Sequence, residues 1–97
     1  MITTFGDKAT QDIYNGVNSK AARKIPSQLW KAAARKLDMI NAARLLQDLL
    51  ALPGNRLEAL KGNFKGFHSI RINDQYRVIF RWLNNNAESV RILDYHV

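Results

Sequence analysis

Ninety-seven residues make one domain, and a chain of this size buries roughly two-thirds of its unfolded surface, enough to fold without staples. The absence of cysteine excludes disulfides, thiolate metal sites and cysteine nucleophiles, and it suits a reducing cytoplasm. Fifteen Lys and Arg against eight Asp and Glu leave a net charge of +7, a field that draws phosphate polymers, acidic lipid surfaces or acidic proteins.

Met1–Phe5 reads as a short first strand, with Ile2 and Phe5 flanking two β-branched threonines. Nothing in this stretch resembles a secretory signal, and no apolar run approaches the roughly 18 residues of a membrane span, so a soluble, cytoplasmic protein is expected. Gly6-Asp7 predicts a turn and helix N-cap. Ala9, Ile13, Tyr14 and Val17 then recur at helical spacing, and Gly16 marks the expected end of the helix. Residues 18–25 are polar and basic, and Pro26-Ser27 opens a longer helix. Leu29, Trp30, Ala33, Leu37 and Ile40 form its apolar stripe, with Lys31, Arg35 and Asp38 opposite. The pattern allows this helix to run to about Leu50, before Pro53-Gly54-Asn55 breaks it.

Beyond Asn55 the period becomes two. Residues 56–60 alternate, and Lys61-Gly62-Asn63 with Lys65-Gly66 reads as a loop. Strands are predicted at Phe67–Ile72 and Tyr76–Leu83, joined around Asn73-Asp74-Gln75, with Asn84-Asn85-Asn86 as a turn and Ser89–Tyr95 as the last strand. The order β-α-α-β-β-β-β predicts an α+β domain: an antiparallel sheet with two N-terminal helices on one face. Pairing Ile72 with Tyr76 and Ile70 with Val78 gathers apolar residues on the helix side. It leaves Arg71 beside Arg77 on the other face, with Arg81 further along. A one-residue slip would bury an arginine.

That second face is one candidate site. Arg56, Lys61, Lys65, Arg71, Arg77, Arg81 and Arg91 fall in a span whose acids are Glu58, Asp74 and Glu88, and alternation gathers several of these cations where a phosphate backbone could follow them. The plainer reading is a solvated sheet face. Asp94-Tyr95-His96 is the other candidate. Cleavage of RNA by its own 2′-hydroxyl needs a base for that hydroxyl, an acid for the departing 5′-oxygen and cations around the phosphate. His96, Tyr95, Lys61 and the arginines supply those types, although a histidine so near a chain end reads first as a frayed tail. His68 shares parity with Ile70 and Ile72 and is expected to pack at the core edge. The histidines and carboxylates do not fall at metal-ligand spacing and no phosphate loop is visible, so a chemistry without metal or cofactor is expected. No recognition-helix pattern for DNA is visible either.

The run Pro53-Gly54-Asn55-Arg56-Leu57-Glu58-Ala59-Leu60-Lys61-Gly62, the stretch from Gly66 through Ser69-Ile70-Arg71-Ile72-Asn73-Asp74-Gln75-Tyr76-Arg77 to Phe80, and the closing Asp94-Tyr95-His96 resemble the HigB toxins. These plasmid-maintenance killer proteins belong to the RelE/ParE superfamily. Ala34-Arg35-Lys36-Leu37 and Ala42-Ala43 fit the same pattern, so the resemblance spans nearly the whole chain. It implies a ribosome-dependent mRNA interferase that cuts message in the ribosomal A site. It also implies a HigA-like helix-turn-helix antitoxin, through which the pair would bind operator DNA. Carried over residue by residue, Lys61, Arg77, Asp94, Tyr95 and His96 match the cleavage machinery, and Arg71 lies on the same face. Arg56, Lys65 and Arg81 are candidates for holding substrate. Some members carry histidine where this chain has Glu58, a carboxylate that could act as a base or repel phosphate. The ParE branch of the same fold implies the alternative, a non-enzymatic inhibitor of DNA gyrase.

Overall fold

Asp7 starts the first helix. Its carboxylate accepts the backbone N–H of Thr10 at 2.9 Å and so fills one of the donors that a helix start leaves open. The structure, a computed structural model, describes residues 1–95. Helix α1 covers Lys8–Tyr14, and Gly16 beyond it is left-handed at φ +74°. Asp12 ties this helix to the next segment, accepting the Ser19 hydroxyl at 2.6 Å and facing the Lys8 ammonium at 3.1 Å. Thr10 is fully buried, and its hydroxyl oxygen accepts the Ile92 N–H at 2.8 Å, fastening α1 to the sheet.

Pro26 leads through a 3-10 turn, Ser27–Leu29, into α2, Trp30–Ala42. Ala33, Leu37 and Ile40 of the expected stripe are fully buried, and removing a leucine such as Leu37 from water contributes about 2 kcal/mol. The helix stops at Ala42 instead of continuing toward Leu50. Ala43 is extended, and the Asp48 carboxylate accepts the N–H groups of Arg44 and Leu45, both at 3.0 Å. An aspartate competing for backbone donors in this way favours a fresh start over a continued helix. The fresh start is α3, Gln47–Leu50, which returns Leu49 to the core.

After a 3-10 turn at Pro53–Asn55 come β1 (Glu58–Ala59), β2 (Phe67–Arg71), β3 (Tyr76–Leu83) and β4 (Asn86–Asp94). They form an antiparallel sheet in that order, and α1 and α2 pack on one face against β3 and β4. The α+β architecture expected from the element order is therefore present. Ile70 pairs with Val78 and Arg71 with Arg77, as hydrophobic parity requires.

The differences lie at strand ends. The turn is two residues, Asn84 and Asn85, both left-handed at φ +53° and +60°, the geometry of a tight hairpin that asparagine tolerates. Asn86 therefore already belongs to β4, which begins before Ser89 and ends at Asp94. Ser89 is left-handed at φ +52° and marks a bulge, because Ile79 pairs with Arg91 while Arg81 pairs with Glu88. The bulge resets the alternation so that Ala87, Val90 and Ile92 all join the core. It also explains why Met1–Phe5 is no continuous strand. That segment runs parallel to β4 through isolated bridges, Ile2 with Ala87 and Phe5 with Val90, which flank the irregularity. The alternating residues 56–60 shrink to a two-residue β1, since Arg56 is left-handed at φ +45°.

The face away from the helices is not lined by arginines alone. Ile79 shares parity with Arg77 and Arg81, yet it is fully buried between Ser69 and Arg91 and lies outside the main core cluster.

Candidate functional site

Two arginines set opposite each other on neighbouring strands repel, so something must neutralise them. Arg71 is paired with Asp74 of the β2–β3 turn, and Arg77 with Glu58 of β1 at 2.6 Å. Strand pairing delivers Glu58 there: it sits across from Ser69, whose hydroxyl also accepts from the same Arg77 nitrogen. Arg77 is nearly enclosed, its side chain 12% exposed against 52% for Glu58, so the arginine is held while the carboxylate can leave. The Arg71 guanidinium holds the Asp74 carboxyl below the usual carboxylate range.

These groups line a concavity of about 170 Å³. Arg56, Glu58, Arg71, Arg77 and Tyr95 form its walls together with Asn73 and Asp74. Tyr95 arrives because its N–H donates to the Gln75 carbonyl at 2.7 Å, which binds the chain beyond β4 to the β2–β3 turn. Its ring lies 5.6 Å from the Arg77 guanidinium carbon, within cation–π range. Asp94 sits beside the concavity, its carboxylate accepting from Gln75 Nε2 at 3.2 Å. Lys61, Lys65 and Arg81 are exposed and line no part of it. His96 lies outside the described residues.

Arg56 enters the concavity through a bracket that strand and helix patterns do not reveal. Asn55 is fully buried; its side-chain oxygen accepts the Lys36 ammonium at 2.6 Å and its amide donates to the Leu49 carbonyl at 3.2 Å. Burial, then the nearby Arg35 and Arg71, lower the Lys36 pKa from its ordinary value. This bracket holds the turn at Pro53–Asn55 and leaves Arg56 in the left-handed conformation. The only sequence signal for it is the Pro-Gly-Asn turn itself. Ser69 was equally unmarked, since a serine in a strand has no periodic signature.

His68 packs as expected, its ring 6.1 Å from that of Phe80 at a 26° tilt, and burial lowers its pKa. Among the described residues no group of three His, Cys, Asp or Glu gathers to hold a metal ion, and no helix is long and apolar enough to cross a membrane. Chemically, the concavity offers three guanidinium groups, a phenol ring and two displaceable carboxylates. An anion with several oxygens, such as a phosphodiester, matches that donor set.

The chain is 45% identical over 87 residues to Toxin HigB-1 of Vibrio cholerae serotype O1, covering 90% of each protein. Its fold is similar to the YoeB–YefM complex from Staphylococcus aureus, with a TM-score of 0.60 at 18% identity over 100% of this chain and 99% of that one. It is also similar to a YoeB/ParE toxin from Agrobacterium tumefaciens, with a TM-score of 0.59 at 15% identity over 98% and 100%. At such identities the structural likeness speaks for the fold alone. The family model for RelE-like toxins of the type II toxin–antitoxin system HigB matches residues 3–96. The chain belongs to this HigB-like toxin family of the RelE superfamily.

Proposed function

We propose that this toxin is a ribosome-dependent endoribonuclease that cleaves translated mRNA in the ribosomal A site. The observation that carries the reading is the cross-strand pair Arg71–Arg77, each held by a carboxylate and facing Tyr95 in one concavity. In the reaction the 2′-oxygen attacks phosphorus and the P–O5′ bond breaks, leaving a 2′,3′-cyclic phosphate and a 5′-hydroxyl. The 2′-proton passes to a base and the 5′-oxygen receives a proton. Arg77 and Arg71 hold the scissile phosphate and meet the charge that grows on it. His96 and Tyr95 move the protons and Asp94 orients them, while Lys61 adds positive charge from outside the concavity. Glu58 occupies the place of a phosphate oxygen on Arg77 until substrate displaces it.

The partners follow from the family. A HigA-like helix-turn-helix antitoxin neutralises the toxin in the cytoplasm, and operator DNA is bound through the complex of the two. Association of the related YoeB with YefM supports an antitoxin partner.

Primer extension on a defined message in a reconstituted translation reaction tests the reading. New 5′ ends inside translated codons should appear only with ribosomes. Arg77→Gln and His96→Ala should each lower their yield by at least about 100-fold. Growth arrest without any message cleavage would sink the nuclease and favour gyrase inhibition.

A further inference from the structure

The outer face of the sheet carries a second assembly at the end away from the concavity. Phe67 opens β2 and pairs with Arg81 of β3, whose guanidinium carbon lies 4.7 Å from the centre of the Phe67 ring. Phe64 meets that ring edge-on, 6.1 Å away at 83°. The loop bearing Phe64 starts at Lys61 and ends at Lys65-Gly66, and both lysines are exposed. Gly62 and Gly66 are left-handed at φ +66° and +93°, which turns the loop tightly around the aromatic pair. Arg81 pairs with Glu88 across the strands but makes no ion pair with it, lying over Phe67 instead. Among the described residues neither Arg81, Lys61 nor Lys65 has a carboxylate partner, whereas Arg71 and Arg77 both do.

We infer that this Phe64–Phe67–Arg81 ledge is a docking subsite for one unpaired RNA nucleotide, its base stacked on the outer side of the Arg81 guanidinium and its phosphate between Lys61 and Lys65. A guanidinium held over an aromatic ring has its other side free to stack on a base, and unpaired bases are held on arginine in this way. The flanking lysines supply point charges for the backbone without fixing sequence. Arg81 and Arg77 lie four residues apart on one face of β3, about 13 Å. That corresponds to about four nucleotides of stacked strand, at about 3.4 Å each, and fewer once the strand is drawn out. The inference rests on the arginine concavity being the scissile-phosphate site. That spacing, a few nucleotides of one strand, makes the nucleotide part of the message itself.

Binding of non-cleavable 2′-O-methyl RNA separates this subsite from simple charge attraction. The probes are a dinucleotide, long enough for the concavity alone, an octanucleotide that also reaches the ledge, and isolated small ribosomal subunits. Arg81→Lys keeps the charge and loses the plane. It should weaken the octanucleotide about five- to tenfold and leave the dinucleotide unchanged. A loss confined to ribosomal subunits, with the octanucleotide unaffected, would overturn the message as the occupant. Phe67→Leu should reproduce the octanucleotide loss, with circular dichroism confirming the fold. Full binding of all three probes by Arg81→Lys would overturn the subsite, as would an equal loss on the dinucleotide. Because the strands are not cut, a wild type that shows the Arg81 effect without nuclease activity would overturn the nuclease reading alone.

Discussion

Arg56 is the residue at which stability and binding pull apart. A left-handed backbone costs a residue with a Cβ about 1–2 kcal/mol, and Arg56 sits there at φ +45° with its side chain on the concavity. Such strain is tolerated where the surroundings over-determine it, and the Lys36–Asn55–Leu49 bracket does so here. Arg56→Gly should therefore raise the unfolding free energy by about 0.5–1 kcal/mol, after allowing for glycine's extra freedom when unfolded. The same change should weaken RNA binding about tenfold through loss of a charge-assisted contact. Denaturant titration and a binding assay on one preparation would show both; a variant that loses stability would refute the strain. The opposition of Arg71 and Arg77 is legible in the sequence because strand parity is local. The bracket is not legible, because it joins a helix and a turn 19 positions apart and depends on where α2 ends.

At the scale of elements, the sheet is most readable where hydrophobic alternation is clean and least readable where it slips. β2 and β3 follow from Ile70, Val78 and Phe80, all buried on one side. β4 does not, because Ala87 and Val90 belong to opposite parities until Ser89 is placed in a bulge. No serine announces a bulge by its identity. Glycine suits the left-handed position better, so Ser89→Gly should stabilise the fold by about 0.5–1 kcal/mol and raise Tm by several degrees. A fall in Tm would mean that the serine side chain supplies something more than conformation. The premature end of α2 has a similar origin. Its apolar periodicity continues past Ala42, but Asp48 offers the backbone a competing acceptor. Periodicity sees the stripe and not the competitor.

Across the whole molecule, acid should act partly through one joint. Asp12 is held below the usual carboxylate range by the Ser19 hydroxyl, then by Lys8. Its folded pKa thus lies below its unfolded value, so its stabilising share is complete above the ordinary carboxylate pKa and fades as pH falls through the folded one. Asp12→Asn should lower Tm near pH 7, and the gap from wild type should narrow as pH falls below the ordinary carboxylate value of about 3.9 and through the lower folded one. Thermal melts across that range would settle it; a constant gap would assign the effect to packing. The joint matters beyond α1, because Thr10 of the same helix holds the Ile92 amide.

Ile79 has a kinetic consequence. Val78 and Phe80 face the helices and Ile79 faces the other way, yet all three are fully buried. β3 is thus shielded from solvent on both sides at its centre and hydrogen-bonded along both edges. Its amides should be among the last in the chain to trade hydrogen for deuterium, with protection close to that of global unfolding. Arg77 is anchored one residue from that slow segment, whereas Glu58 hangs from a two-residue strand at the edge of the sheet. The two halves of the ion pair therefore live on different clocks: the guanidinium stands still while its carboxylate partner comes and goes.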